Sequence, residues 1–230
     1  HHLDVGGGAP GSYDPNATEI FQEGIRIPPV RVVNAGVTNE DLIKVFLRNS
    51  REPVNVGGDF ASQLAALKVG VRSLQGIAER YSPSRLANAC TAIQDRSEAA
   101  MREAIQGVPD GEYRFEDEID GDGNGSGRLK VVSTLHVDGE SIVVDLTGSS
   151  AQAGGPVNCT KNMSSSAVVC AVMMSIGEHV PANAGCYRPI AIRAPEGTVV
   201  NASSPAPVAN RMAIGHRVVN AVMGSFARAI

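Results

Sequence analysis

LKVVSTLHVDGESIVVDL, residues 129–146, is the stretch on which the fold turns. Apolar and polar side chains alternate with period two on both sides of Asp138-Gly139. That pattern predicts a β-hairpin, Leu129–Val137 with Glu140–Leu146, closed by a type I′ turn. Towards the C-terminus, Thr147-Gly148-Ser149-Ser150 through Asn158 is a loop of small residues, and residues 161–178 carry helical spacing. Tyr187–Val200 reads as a strand interrupted by Pro195-Glu196-Gly197, Pro205-Ala206-Pro207 as a rigid turn, and Asn210–Ile230 as a helix. Towards the N-terminus the character changes at Pro109-Asp110-Gly111, where Asp110–Asp122 holds seven acids and one base, Arg114, and the Asp120–Gly125 turn that ends the run is read as a solvated connection. Before it come three predicted helices. Thr38 caps the first, Asp59 the second after a break at Pro53 and Gly57-Gly58, and the third runs from about Ser84 to Ile105 behind Pro83. The expected class is α+β: a helical first half, residues 1–108, then a mixed half with the hairpin, residues 109–230.

Composition narrows the function. Twenty Lys and Arg against 24 Asp and Glu leave a net charge of −4, Trp is absent and aromatics are 4%. A basic nucleic-acid binder with stacking platforms is excluded on those terms. The longest apolar run, Ala167–Met174, is far too short to span a bilayer. Cys90, Cys159, Cys170 and Cys186 show no C-x-x-C spacing and read as buried free thiols in a reducing, cytoplasmic setting. The opening residues have no basic-then-apolar signal pattern. The chain starts without Met and its last residues continue a helical pattern, so an interior piece of a longer subunit is expected.

Several constellations could carry chemistry. His1 and Asp4, followed by Gly6-Gly7-Gly8, pair metal-ligating side chains with residues that allow close approach; a solvated terminus is the plainer reading. Asp59 with Gln63, after two glycines, would sit at a helix N-terminus able to receive an anion or a carbonyl oxygen, or would merely cap it. Asp120–Gly125 imitates the front of an EF-hand loop, but Val131 stands where a bidentate Glu belongs and a strand follows, so no tight Ca²⁺ site is expected. Glu98 and Arg102 form a surface pair at helical spacing. There is no G-x-S-x-G nucleophile elbow and no G-x-x-x-x-G-K-[ST] phosphate loop.

Taken in order, His1-His2-Leu3-Asp4-Val5-Gly6-Gly7, Pro10-Gly11-Ser12, Glu23–Pro29, Asn49-Ser50-Arg51, Gly58–Ala66 and Ser97-Glu98-x-x-Met101-Arg102 resemble the hydantoinase B/oxoprolinase family. Pro109-Asp110-Gly111, Val144–Ser150, Gly155–Asn158, Pro195-Glu196-Gly197 and Pro205–Val208 continue the resemblance over nearly the whole chain. It implies one part of a two-part machine. An ATP-binding A-type partner phosphorylates the carbonyl oxygen of a cyclic amide, and the B-type subunit hydrolyses the activated C–N bond at a divalent metal, Zn²⁺ or Mn²⁺. By the same resemblance His1 is a metal ligand, and Asp4 is either a ligand or a group behind one, with further ligands outside this stretch. A cytoplasmic hetero-oligomer follows. The alternatives are a ketone carboxylase subunit of the acetone or acetophenone type, or a non-catalytic assembly subunit.

Overall fold

The computed structural model describes residues 4–230. A two-stranded ribbon, β1 (Val33–Asn34) with β2 (Val37–Thr38), leads into helix α1 (Glu40–Arg48). The cap of α1 is Asn39, whose side chain accepts from the Leu42 N–H at 3.1 Å; Thr38 closes β2 instead. Glu40 and Asp41 in the first turn and Arg48 in the last complement the helix dipole.

Helix α2 (Pro53–Tyr81) starts earlier than its glycines suggest. Pro53 occupies its first turn, where the missing N–H costs nothing, and the helix then runs straight through Gly57-Gly58. Asp59 is therefore interior to α2 and does not cap it. Ser82, at φ 74°, both ends α2 and begins α3 (Pro83–Gln106), its side chain accepting from the Arg85 N–H at 3.4 Å.

The second half holds a four-stranded sheet in the order β3 (Gly111–Ile119), β4 (Leu129–Asp138), β5 (Ser141–Asp145), β6 (Ile190–Arg193). The β4–β5 hairpin forms as expected, but Asp138 pairs with Ser141, so Gly139 and Glu140 make the loop. Gly139 has φ 55° while Glu140 stays negative, the pattern of a type II′ turn rather than I′. β3 is a strand within the acidic run: Tyr113, Phe115 and Ile119 turn one way while Glu112, Arg114, Glu116 and Glu118 face solvent. β6 is short and pairs parallel to β5, Ile142 opposite Ile190.

Helix α4 (Lys161–Ile176), capped by Thr160, packs on α5 (Met212–Phe226), and α5 covers β3 and β4. The main core lies between these layers: Leu135, Val144, Val168, Val172, Val218 and Phe226, with Met101 and Ile105 from the end of α3. Ser225 Oγ, buried inside it, donates to the Ser133 carbonyl at 3.1 Å. Asn183 Nδ2 to Ser97 Oγ, 2.6 Å, and Arg188 to Asp95 and Glu98 tie α3 to the turn before β6. Cys159 and Cys186 are buried, whereas Cys90 and Cys170 are exposed, so only half of the expected buried thiols are found. Among the described residues no helix is long and apolar enough to cross a membrane.

Candidate functional site in the glycine loop

Residues 4–12 fold back on themselves around one carboxylate. Asp4 Oδ1 accepts from the N–H groups of Gly6 (3.0 Å) and Arg51 (3.2 Å), and Oδ2 from the Gly11 N–H (2.8 Å) and the Arg51 guanidinium (3.4 Å). The guanidinium also donates to the carbonyls of Gly6 at 3.2 Å, of Ala9 at 2.9 Å, and of Gly7. Ser12 Oγ bridges the ends, receiving the Val5 N–H and donating to the Gly6 carbonyl, both at 2.8 Å. Burial opposes ionisation of Asp4, but the donors from Gly6, Arg51 and Gly11 outweigh it and hold its carboxyl below the usual range.

Only glycine fits two of these positions. Gly6 and Gly7 have φ of 89° and 87°, and a Cβ on either would lie 2.7 Å from the Asn49 carbonyl oxygen or 2.6 Å from that of Gln22. The close approach packs the loop against the ends of two other segments, and Gly8 N–H to Gln22 and Ile25 N–H to Val5, each 2.8 Å, lock it there. Between them opens a polar cleft of about 490 Å³, walled by Gly6, Gly7, Gly24, Asn49 and Arg51.

Behind this wall Glu23 accepts from the N–H groups of Val208 and Ala209 at 2.6 and 2.7 Å, joining the first segment to the Pro205–Pro207 turn. Burial pushes the Glu23 carboxyl up, against the pull of those donors and of the Arg211 charge. Sequence patterning alone does not single out Arg51 or Glu23 as site residues. Both lie in the segments that carry the family resemblance, and that is the one signal available.

The other expected residues fall elsewhere. His1 lies outside the described residues. Asp59 is half-buried on α2 and Gln63 is exposed one turn further on, so the helix N-terminus that would give them a role is not beside them. Among the described residues no three His, Cys, Asp or Glu side chains gather as a metal site. The Asp4 carboxylate, with two donors on each oxygen, has its acceptor sites filled by protein and does not fit a direct metal bond. Asp122, by contrast, is buried at 8% exposure and accepts from the Asn124, Ser126 and Gly155 N–H groups and from the Ser126 hydroxyl. Burial works against its ionisation, yet these four donors lower its pKa to about 2.

Comparison with known proteins decides the lineage. The hydantoinase B/oxoprolinase family pattern matches residues 1–230. The chain belongs to that family. It is 33% identical to the B-type subunit of a putative D-/L-hydantoinase of Pseudomonas sp. (strain NS671), over all of this chain and 41% of that one. It superposes on the crystal structure of an ATP-dependent caprolactamase from Pseudomonas jessenii with a TM-score of 0.92 and 32% identity, covering 98% of this chain and 39% of that one. A nucleotide-free acetone carboxylase shares the fold, with a TM-score of 0.83 at 15% identity, over 96% of this chain and 31% of that one. The family member here thus spans about two fifths of the length of its hydantoinase and caprolactamase relatives.

Proposed function

We propose that this family member works as part of a B-type subunit in an ATP-dependent hydrolase of cyclic amides, with the clamped glycine loop forming one wall of the site. The observation that carries the reading is the loop itself: residues 4–12, which follow His1 in the H-x-x-D-x-G-G motif, are held by Asp4 and Arg51 in a chain that superposes closely on a caprolactamase. A rigid wall without β-carbons lets a small ring approach backbone closely and keeps it in one orientation.

An amide carbonyl is a poor electrophile. Phosphorylating its oxygen makes the carbon open to water and turns the ring nitrogen into a feasible leaving group. This chain has no phosphate loop of the G-x-x-x-x-G-K-[ST] type, so ATP is assigned to an A-type partner subunit, and the assembly is a hetero-oligomer. A divalent metal, Zn²⁺ or Mn²⁺, would polarise the carbonyl or acidify water. Its ligands would have to include His1 and groups beyond the described residues, while Asp4 holds the loop that follows His1. Glu23 fixes the loop's far side against the Pro205–Pro207 turn.

The test is turnover of lactams and hydantoins by the assembled enzyme, with ATP consumption and ring opening followed together. Stoichiometric ring opening without label from ¹³C-bicarbonate supports the hydrolase. Incorporation of that label into a ketone product would overturn it in favour of a carboxylase, and ATP-coupled turnover that survives without this subunit would reduce the chain to assembly alone.

A further inference from the structure

The polar cleft beside the glycine loop is cationic in a chain whose net charge is −4. No acidic side chain lines it, whereas Arg48 and Arg51 both do. Arg51 is committed to Asp4 and to the carbonyls of Gly6, Gly7 and Ala9. The carboxylates that adjoin the wall are committed as well. Asp4 is taken by its loop donors, Glu23 by the Val208 and Ala209 N–H groups, and Glu52 by the Asn55 side chain at 3.1 Å. Arg48 is left over. It is exposed at the end of α1, and its guanidinium meets no acceptor among the described residues.

An Arg in the last turn of a helix can serve simply to satisfy the final carbonyls. Here that is done without it. The Phe46 and Leu47 carbonyls accept from the N–H groups of Asn49 and Ser50 at 3.2 and 3.1 Å, and the Val45 carbonyl accepts from the Asn49 side chain at 2.8 Å. A second cation stands at the same cleft. The Arg26 guanidinium lies 5.0 Å from the ring centroid of Phe21, a lining residue, and has no carboxylate within ion-pair reach among the described residues. A guanidinium presents a fork of N–H donors that matches two oxygens of a carboxylate or phosphoryl group, and a concave wall of one sign of charge draws such a group in. A cleft of about 490 Å³ holds a small ring together with it. We propose that Arg48 is the specificity-determining residue of this cleft and holds the anionic group of the substrate, either a carboxylate carried by the ring or the phosphoryl group placed on its amide oxygen. The substrate named here rests on the hydrolase reading above; the cleft's affinity for an anion does not.

The test uses the assembled enzyme with its nucleotide site filled by ADP, titrated with inorganic phosphate and followed by phosphorus NMR. Arg48→Gln should weaken phosphate binding by about tenfold or more, the scale of a lost hydrogen bond to a charged group, and Arg48→Lys, which keeps the charge, should weaken it less. Turnover with ATP then separates the two sources, using a five-membered lactam and the same ring carrying a carboxylate. A loss of kcat/KM in Arg48→Gln about tenfold larger for the carboxylated ring assigns that carboxylate to Arg48, and equal losses of about tenfold for both rings assign the phosphoryl group. Phosphate affinity that falls in the Gln variant while even the wild type opens neither ring would keep the anion site and sink the hydrolase reading. Phosphate affinity and turnover of both rings indistinguishable from wild type would overturn the inference. So would a Lys variant no better than the Gln one, since Arg48 would then only shape the cleft.

Discussion

Arg51 reaches Asp4 twice, once through its backbone N–H at 3.2 Å and once through its guanidinium at 3.4 Å, and the same guanidinium gathers the carbonyls of Gly6, Gly7 and Ala9. One planar fork with several donors thus holds a loop that has no side chains of its own at its tightest points. An ammonium cannot do this, because its donors do not lie in a plane.

Arg51→Lys should therefore loosen the loop without unfolding the protein. The expected signature is faster hydrogen exchange at residues 5–11 and a fall in turnover of the assembled enzyme of about tenfold or more, the scale that small misplacements of a site produce. Unchanged exchange together with unchanged turnover would remove the loop from the site.

Gly7→Ala tests the same wall from the backbone side. At φ 87°, with the Gln22 carbonyl oxygen 2.6 Å from the new Cβ, the substitution should cost about 1–3 kcal/mol in thermal or denaturant unfolding. A loss below that range would mean the loop relaxes freely.

Asp122 sets an acid limit on stability. Its pKa is about 2 in the fold against 3.8 ordinarily, so its contribution is fully present above pH 4 and disappears as pH falls through 2. A difference of that size corresponds to about 2 kcal/mol. Asp122→Asn should lower stability by about that much at pH 7, with the gap from wild type closing near pH 2. Because the carboxylate is already filled by Asn124, Ser126 and Gly155, calorimetry should find no micromolar Ca²⁺ affinity in this turn.

Glu23 has the opposite sign. Its pKa is raised by burial, so the protonated form favours the fold at low pH, and that advantage is lost as pH rises through the folded-state value. Glu23→Gln keeps an acceptor for the Val208 and Ala209 N–H groups and should leave stability at neutral pH unchanged or higher. Glu23→Ala strands both donors and should cost about 1–3 kcal/mol, measured by chemical denaturation.

What the sequence determined by itself was whatever nearest neighbours decide. The alternation in Leu129–Leu146 was enough for the hairpin, Pro83 for the break between α2 and α3, and the spacing in residues 161–178 and 210–230 for two helices, since period and breakers act over a few residues. The ordered motifs were enough for the family. Local reading failed where two local signals competed. The acids of residues 110–122 hid the alternation of Tyr113, Phe115 and Ile119, which the register against β4 turns into a strand. Gly57-Gly58 looked like a break, but Pro53 had already begun the helix, and that leaves Asp59 without a cap to make. Only the tertiary structure could set the parallel pairing of β5 with β6, whose partners Ile142 and Ile190 lie far apart in the chain. Only it could show that Asp4 is saturated by donors, two of them from Arg51, 47 residues away. An acid's role depends on who fills its lone pairs, and no periodicity in the chain encodes that.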